Sequence, residues 1–92
     1  MFYVYILLCA DGSYYVGFTE SLEARLKEHN EGKLGACYTF LRRPVTLVYS
    51  ESYNIQADAI KRERQLKGWS HAKKEALIDG DVPALKALSK RR

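Results

Sequence analysis

Residues 2–19 constrain the fold most, because they have the pattern of a β-hairpin. A nearly unbroken run of β-branched, aromatic and leucine side chains from Phe2 to Cys9 predicts one strand, and Ser13 to Thr19 predicts the next. The segment Ala10–Gly12 between them has turn chemistry. A three-residue loop with glycine in the left-handed position is a favoured hairpin connection. We therefore expect an antiparallel pair of strands whose register is set by this loop.

The register of the hairpin decides where two tyrosines point. Counting back from a three-residue loop pairs Leu7 with Tyr15 and Tyr5 with Gly17. Tyr5 and Tyr15 then project from the same face of the sheet as diagonal neighbours, about 7 Å apart. A two-residue turn at Asp11-Gly12 would place them on opposite faces instead. The functional interpretation depends on the three-residue loop.

The remainder of the chain predicts helices around a third strand. Residues 20–32 predict an amphipathic helix, residues 45–53 a third strand and residues 55–67 a second helix with Asn54 as its N-cap. Ser70 begins a short helix, and a last, largely basic helix starts near Asp81. The order ββαβαα(α) predicts an α+β fold, in which helices flank a three-stranded antiparallel sheet. We expect one domain, with residues 1–80 as its body and residues 81–92 as its C-terminal basic helix or tail.

Composition limits the classes of protein to which the chain can belong. The 15 Lys and Arg residues outnumber the 11 Asp and Glu residues, and the net charge of +4 favours an anionic partner. Cys9 and Cys37 lack metal-binding or redox spacing, which is typical of reduced thiols in an intracellular protein. No apolar run reaches about 18 residues, and no signal-peptide leader precedes the first strand. We therefore expect a cytoplasmic protein without a membrane partner.

The first predicted helix carries two side chains suited to phosphate chemistry. Arg25 and His29 are four residues apart and border the stripe formed by Leu22 and Leu26. An arginine can hold a phosphate through two hydrogen bonds, and a histidine can transfer a proton. The alternative is an arginine that covers the edge of the core beside an ordinary surface histidine. Gly17 likewise either leaves room for a phosphate or marks a bulge that bends the hairpin.

Glu63 is the least expected residue of the second helix. Its spacing from Ile60 and Leu66 puts a carboxylate on the apolar stripe, where it needs a partner. That partner is either Arg25 in an ion pair or a divalent cation such as Mg²⁺. A scattered basic surface offers phosphate contacts or is simply solvated, and it comprises Arg42, Arg43, Lys61, Arg62, Arg64, Lys67, Lys73, Lys74 and residues 90–92.

Together these residues resemble the GIY-YIG nuclease superfamily, with Tyr3-Val4-Tyr5 and Tyr15-Val16-Gly17 in the places of its two tripeptides. Tyr3 replaces a glycine of the family motif and could narrow the pocket beside the tyrosine pair. The resemblance extends to about Ile78 and is closest to small stand-alone bacterial members and to the N-terminal domain of the excision-repair endonuclease. It continues through Arg25, His29, Asn30, Gly32, Tyr38, Thr39, Arg42, Arg43, Pro44 and Glu63.

The resemblance implies a metal-dependent endonuclease that hydrolyses phosphodiester bonds in nucleic acid, with DNA repair or processing as its role. Glu63 would bind one divalent cation, Mg²⁺ or Mn²⁺, and Arg25 would neutralise phosphate charge. Either Tyr5 or Tyr15 would activate the attacking water, with His29 assisting proton transfer. The expected substrate contacts are Gly17, Asn30, Thr39, Arg42 and Arg43.

Two other functions fit the same residues. A nucleic-acid-binding module without catalysis would keep the fold and the basic surface. A protein-interaction domain would use the tyrosine-rich face as an apolar contact patch. Nucleic acid, with DNA preferred, is the partner expected first, and the small size of the site also favours recruitment by a protein partner. The sequence leaves open the choice between DNA and RNA and the oligomeric state.

Overall fold

A computed structural model describes residues 1–33 and 37–89 of the chain. The predicted α+β fold is confirmed, with the order ββαβααα. Its elements are β1 Phe2–Leu8, β2 Tyr14–Thr19, α1 Leu22–Glu31, β3 Thr46–Tyr53, α2 Gln56–Lys67, α3 His71–Asp79 and α4 Val82–Ser89. No helix within this described part is long and apolar enough to cross a membrane. The basic tail at residues 90–92 lies outside the described residues.

The hairpin forms in the predicted register. The N–H of Cys9 donates to the Ser13 carbonyl at 2.8 Å, and the loop residue Gly12 has a left-handed φ of +86°, which glycine adopts without a steric penalty. Tyr5 pairs with its predicted partner across the hairpin, and so does Tyr15. The two tyrosines therefore lie on one face of the sheet, with ring centroids 6.4 Å apart. The two-residue turn, which would separate them, is not the turn observed.

The central strand of the sheet is β1, because β2 and β3 both pair with it in antiparallel orientation. Both faces of β1 are covered by helices, and its sequence is accordingly a continuous apolar run without polar alternation. The face that carries Tyr5 packs against Leu22 and Leu26 of α1. The opposite face packs against Ala59 and Leu66 of α2. The sheet therefore forms the middle layer, with α1 and α2 on opposite sides.

The N-termini of α1 and α3 follow local capping chemistry, but that of α2 does not. The hydroxyl groups of Ser21 and Ser70 accept backbone N–H groups at the starts of α1 and α3. The prediction that Asn54 caps α2 is wrong. Ile55 occupies the N-cap position, because its carbonyl accepts the Ala59 N–H and begins the helical hydrogen bonds. No side-chain hydrogen bond caps this helix, and the Ile55 side chain is exposed.

Candidate active site

A chain of hydrogen bonds links β1, α1 and the loop that precedes β3. The Tyr5 hydroxyl lies 3.1 Å from Nε2 of His29, and Nδ1 of the same ring lies 2.7 Å from the Thr39 hydroxyl. The exposed fractions of these three side chains are only 2%, 1% and 1%. The interpretation of His29 as an ordinary surface histidine is therefore wrong. The imidazole is buried, and contacts to both nitrogens fix its orientation.

The His29 ring is held in its neutral form. Burial lowers the pKa of His29, and the positive charge of Arg25 acts in the same direction. A neutral imidazole has one donor nitrogen and one acceptor nitrogen. With the proton on Nδ1, the ring donates to Thr39 and accepts from the Tyr5 hydroxyl; with the proton on Nε2, these roles are reversed. Either tautomer satisfies both ring nitrogens.

Gly17 provides the space that the Tyr5 ring occupies. A Cβ atom at position 17 would overlap the Oη and Cζ atoms of Tyr5. The pairing of β1 with β2 is regular at this point, so the predicted alternative of a bulge in the hairpin is not observed. The predicted contact between Gly17 and a phosphate stays a prediction.

The two tyrosines lie side by side but differ in their exposure to solvent. Tyr5 is 2% exposed, whereas Tyr15 is half-buried, with its ring centroid 5.2 Å from that of His29. Burial raises the pKa of Tyr5 to about 12 and also raises the pKa of Tyr15. Both phenols are therefore protonated at neutral pH and can donate hydrogen bonds.

Arg25 and Glu63 approach the tyrosines from different helices. Burial has the largest effect on the pKa of Tyr5; the Arg25 charge lowers that pKa, and the Glu63 charge raises it. Both side chains thus lie within electrostatic range of the phenol. Arg25 pairs with Glu28 at 3.2 Å, and Glu63 pairs with Lys67 at 3.2 Å. The predicted alternative of an ion pair between Arg25 and Glu63 is not observed.

Glu63 has the surroundings of a single carboxylate ligand. Its side chain is 17% exposed, and the ammonium group of Lys67 is its ion-pair partner. Within residues 1–33 and 37–89, no group of three or more His, Cys, Asp or Glu side chains converges on one point. Mg²⁺ commonly takes one or two protein carboxylates and completes its shell with water and phosphate oxygens. The donor set at Glu63 therefore fits a hard divalent cation whose remaining ligands come from water and substrate.

Three predicted substrate contacts have partners within the protein. The side-chain amide of Asn30 donates to the Val45 carbonyl at 3.0 Å and accepts the Val45 N–H at 2.7 Å. Arg42 pairs with Asp11 at 3.1 Å, and Arg43 donates to a carbonyl of its own loop at 2.7 Å. These contacts fix the loop between α1 and β3. Their predicted contacts with substrate stay predictions.

No sequence pattern predicted a role for Tyr38 or Cys37, two residues that lie beside Tyr15. The Tyr38 ring stacks on the Tyr15 ring, with centroids 6.3 Å apart and planes inclined by 19°. The Cys37 thiol lies close to the Tyr15 hydroxyl and contributes to its raised pKa, after the larger effect of burial. No spacing pattern could have placed these residues, because their loop lacks periodicity. The only sequence signal was the position of Tyr38 next to Thr39 in the family resemblance.

The sheet thus presents the paired phenol groups of Tyr5 and Tyr15 to charged side chains from two helices. Residues 1–76 match the family model of the GIY-YIG catalytic domain. The chain belongs to this family, as its tyrosine motif predicted.

Relatives of the chain are small bacterial proteins of similar length. UPF0213 proteins of Staphylococcus aureus and Staphylococcus saprophyticus are each 47% identical over 76 residues, which cover 83% of this chain and 92% of theirs. The NMR structure of a UPF0213 protein from Bacillus halodurans is 42% identical, with a TM-score of 0.55 over 86% of this chain and 84% of that one. A protein from E. faecalis is also 42% identical, with a TM-score of 0.59 over 85% and 82%. The predicted resemblance to small stand-alone members is confirmed.

Proposed function

We propose that this protein is a metal-dependent endonuclease that hydrolyses phosphodiester bonds in nucleic acid. The observation that carries the proposal is the buried chain from Tyr5 through His29 to Thr39. Charges of both signs, on Arg25 and Glu63, act on the tyrosine end of this chain. Shifted pKa values beside opposite charges are common in catalytic sites. Membership of the GIY-YIG family supports the same activity.

In this proposal, His29 accepts the proton of the attacking water. Burial raises the pKa of Tyr5 to about 12 and lowers the pKa of His29, so the imidazole is neutral while the phenol is protonated. With the proton of the ring on Nδ1, Nε2 is free to accept from the Tyr5 hydroxyl, which lies 3.1 Å away. The Tyr5 hydroxyl passes its proton to Nε2 and takes one from water. This relay does not require a tyrosinate at neutral pH.

Arg25 would hold the scissile phosphate. Its side chain is 38% exposed, and Nε contacts Glu28 at 3.2 Å. A guanidinium group carries five N–H donors, so others remain for the non-bridging oxygens of a phosphate. Two such hydrogen bonds would orient the phosphate and neutralise the negative charge that develops on it.

Glu63 would hold the divalent cation, Mg²⁺ or Mn²⁺. When bound, this cation supplies positive charge to the phosphate and to the leaving oxygen. Arg42 and Arg43 would contact flanking phosphates, while Asn30 and Thr39 would hold the loop and the imidazole in place. Gly17 would keep the phenol in position. We further propose DNA repair or processing in the cytoplasm as the role, with residues 81–92 as part of the same domain.

A nicking assay tests the proposal. Supercoiled plasmid, single-stranded and branched oligonucleotides are incubated with the protein in Mg²⁺ or Mn²⁺. We expect wild type to cleave at least one form and Glu63→Gln to be slower by about 100-fold or more. Asp58→Asn removes an exposed carboxylate from the same helix and should change the rate by less than about twofold. Cleavage of no form by wild type, or equal cleavage by Glu63→Gln, would overturn the catalytic assignment.

A nucleic-acid-binding module without catalysis is the second candidate. One observation favours it: the Glu63 carboxylate already has a cationic partner in Lys67 at 3.2 Å. If that ion pair is permanent, the protein binds nucleic acid in a salt-sensitive manner without turnover. Titration of Mg²⁺ while the carboxyl resonance of Glu63 is observed by NMR separates the candidates. The endonuclease predicts a saturable shift of this resonance, and the binding module predicts none.

A further inference from the structure

A cleft of about 310 Å³ opens beside Tyr15 on the edge strand β2. Side chains from β2, the loop before β3, α2 and α3 line it: Tyr14, Tyr15, Val16, Tyr38, Lys67 and Lys74. The Tyr14 ring is held in place by stacking on His71, with centroids 4.4 Å apart. Three aromatic rings and two ammonium groups therefore surround one concave space.

Lys74 is the residue of this cleft that lacks a counter-charge. It is half-buried, and within residues 1–33 and 37–89 no carboxylate forms an ion pair with it. Burial lowers the pKa of Lys74. Keeping this ammonium charged without a partner costs free energy, which an anionic ligand would recover. The adjacent Lys73 is outside the cleft lining, and its ammonium lies 4.2 Å from the centroid of the Trp69 ring.

The cleft is continuous with the candidate active site. Tyr15 forms part of its wall, and the same ring contacts the ring of His29. Lys67 lines the cleft and pairs with Glu63 at 3.2 Å. A nucleic-acid strand whose scissile phosphate lies at Glu63 would therefore place a neighbouring nucleotide in the cleft.

We infer that the cleft binds one nucleotide of a single nucleic-acid strand, next to the scissile phosphate, with its phosphate on Lys74 and its sugar and base against the tyrosine rings. The inference rests on the proposed function. Lysines combined with aromatic rings suit single strands, because the phosphates need positive charge and unstacked bases need a ring to contact. A volume of about 310 Å³ is at the lower end of the range for small-ligand pockets. A space of this size suits one nucleotide better than a base pair.

Fluorescence anisotropy with a short labelled DNA single strand tests the inference, in EDTA so that no turnover occurs. We expect Lys74→Gln to weaken binding by about fivefold or more, and to reduce the slope of log affinity against log salt by about 0.7, the value for one phosphate of a single strand. Lys73→Gln removes the same charge from the adjacent position, and its effect on affinity should be below about twofold. Equal effects of the two substitutions would overturn the inference.

A comparison of duplex with single-stranded nucleic acid provides a second test. A duplex has the higher charge density and would bind a merely basic surface more tightly. We instead expect an intact duplex of the same sequence to bind at least about tenfold more weakly than the single strand. Lys74→Gln should reduce this preference, and Lys74→Arg should retain it. A duplex that binds as tightly as the single strand would overturn the inference.

Failure of the inference can be distinguished from failure of the proposed function. Binding that depends on Lys74 without any nicking would contradict the endonuclease proposal and support the cleft as a binding site. If Lys74→Gln changes neither the nicking rate nor the preferred form of nucleic acid, the proposed role of the cleft is contradicted and the endonuclease proposal stands. Thermal unfolding of each variant confirms that the comparison is made between folded proteins, and an RNA strand in parallel distinguishes the two nucleic acids.

Discussion

Substitution of Gly17 by alanine should damage the fold and the site together. The new Cβ would overlap Oη and Cζ of Tyr5, whose side chain is 2% exposed and enclosed by the core. An added methyl group in a packed core costs about 1–3 kcal/mol. Displacing the phenol from His29 would also remove a buried hydrogen bond, worth about 1 kcal/mol. We therefore expect Gly17→Ala to lower the free energy of unfolding by about 2–4 kcal/mol.

Urea unfolding followed by far-ultraviolet circular dichroism measures this loss, with Gly68→Ala as the matched control. A Cβ at Gly68 would meet nothing closer than 3.6 Å, and the backbone there is in the right-handed helical region. Alanine is compatible with this conformation, so the control should be neutral or more stable by up to about 1 kcal/mol. A loss at position 17 alone would tie the effect to the local overlap and exclude a general cost of replacing glycine.

A double-mutant cycle identifies the partner of the overlap. Tyr5→Leu removes the Oη and Cζ atoms, so in this background Gly17→Ala should cost less than about 0.5 kcal/mol. The overlap with Tyr5 is excluded as the cause if Gly17→Ala costs that little in wild type, or if its cost is the same in both backgrounds. Either result would mean that the Tyr5 ring is not what requires a glycine at position 17.

Three further outcomes are expected. Glu51→Gln should lower the free energy of unfolding by about 2 kcal/mol at pH 7, because the half-buried Arg62 loses a carboxylate 2.9 Å away. Burial raises the pKa of Glu51, but hydrogen bonds from Arg62 and two tyrosines outweigh this effect and lower the pKa below 4.5. The difference in unfolding free energy between wild type and Glu51→Gln, measured by urea titration, should therefore persist above pH 4.5. It should vanish as the pH falls through the pKa of Glu51 in the folded protein. Thr39→Val should lower kcat for nicking about tenfold, with KM changed less than about twofold, because the His29 ring loses its orientation. The pKa of His29 lies below its ordinary value of 6.5, because burial disfavours the charged imidazole. We therefore expect kcat/KM to be constant from neutral pH down to about pH 6.5, and to fall at lower pH as the imidazole is protonated.

The hairpin and its register were predictable because they depend on local chemistry. The loop Ala10–Gly12 fixes which residues pair, and the apolar run of β1 matches a strand covered on both faces. The helix caps at Ser21 and Ser70 are local in the same sense. The start of α2 was not predictable from capping chemistry, because no side chain caps this helix: Ile55 occupies the N-cap position and Asn54 lies outside the helix.

The burial of His29 could not be predicted from its own helix. Helical spacing puts this residue at the edge of the leucine stripe, where a surface position and a buried position are equally compatible with the pattern. The loop that carries Thr39 closes over the imidazole, and Asn30 ties that loop to Val45. These contacts join α1 to a loop without periodicity, across ten and fifteen positions of the sequence. The ion-pair partner of Glu63 is local by contrast, because Lys67 lies one turn further along the same helix.

The two tyrosines are equivalent in the sequence motif but not in the folded protein. The Tyr5 side chain is enclosed by the core, its hydroxyl is hydrogen-bonded to His29, and its ring occupies the space that Gly17 leaves free. Its hydroxyl can therefore contact water or substrate only inside the candidate active site. Tyr15 is half-buried, stacks on Tyr38 and lines the open cleft, so it is the more accessible of the two phenols. In the proposed mechanism, Tyr5 therefore passes the proton to the imidazole and Tyr15 orients the attacking water. Neither phenol can replace the other, because the first function requires burial and the second requires access.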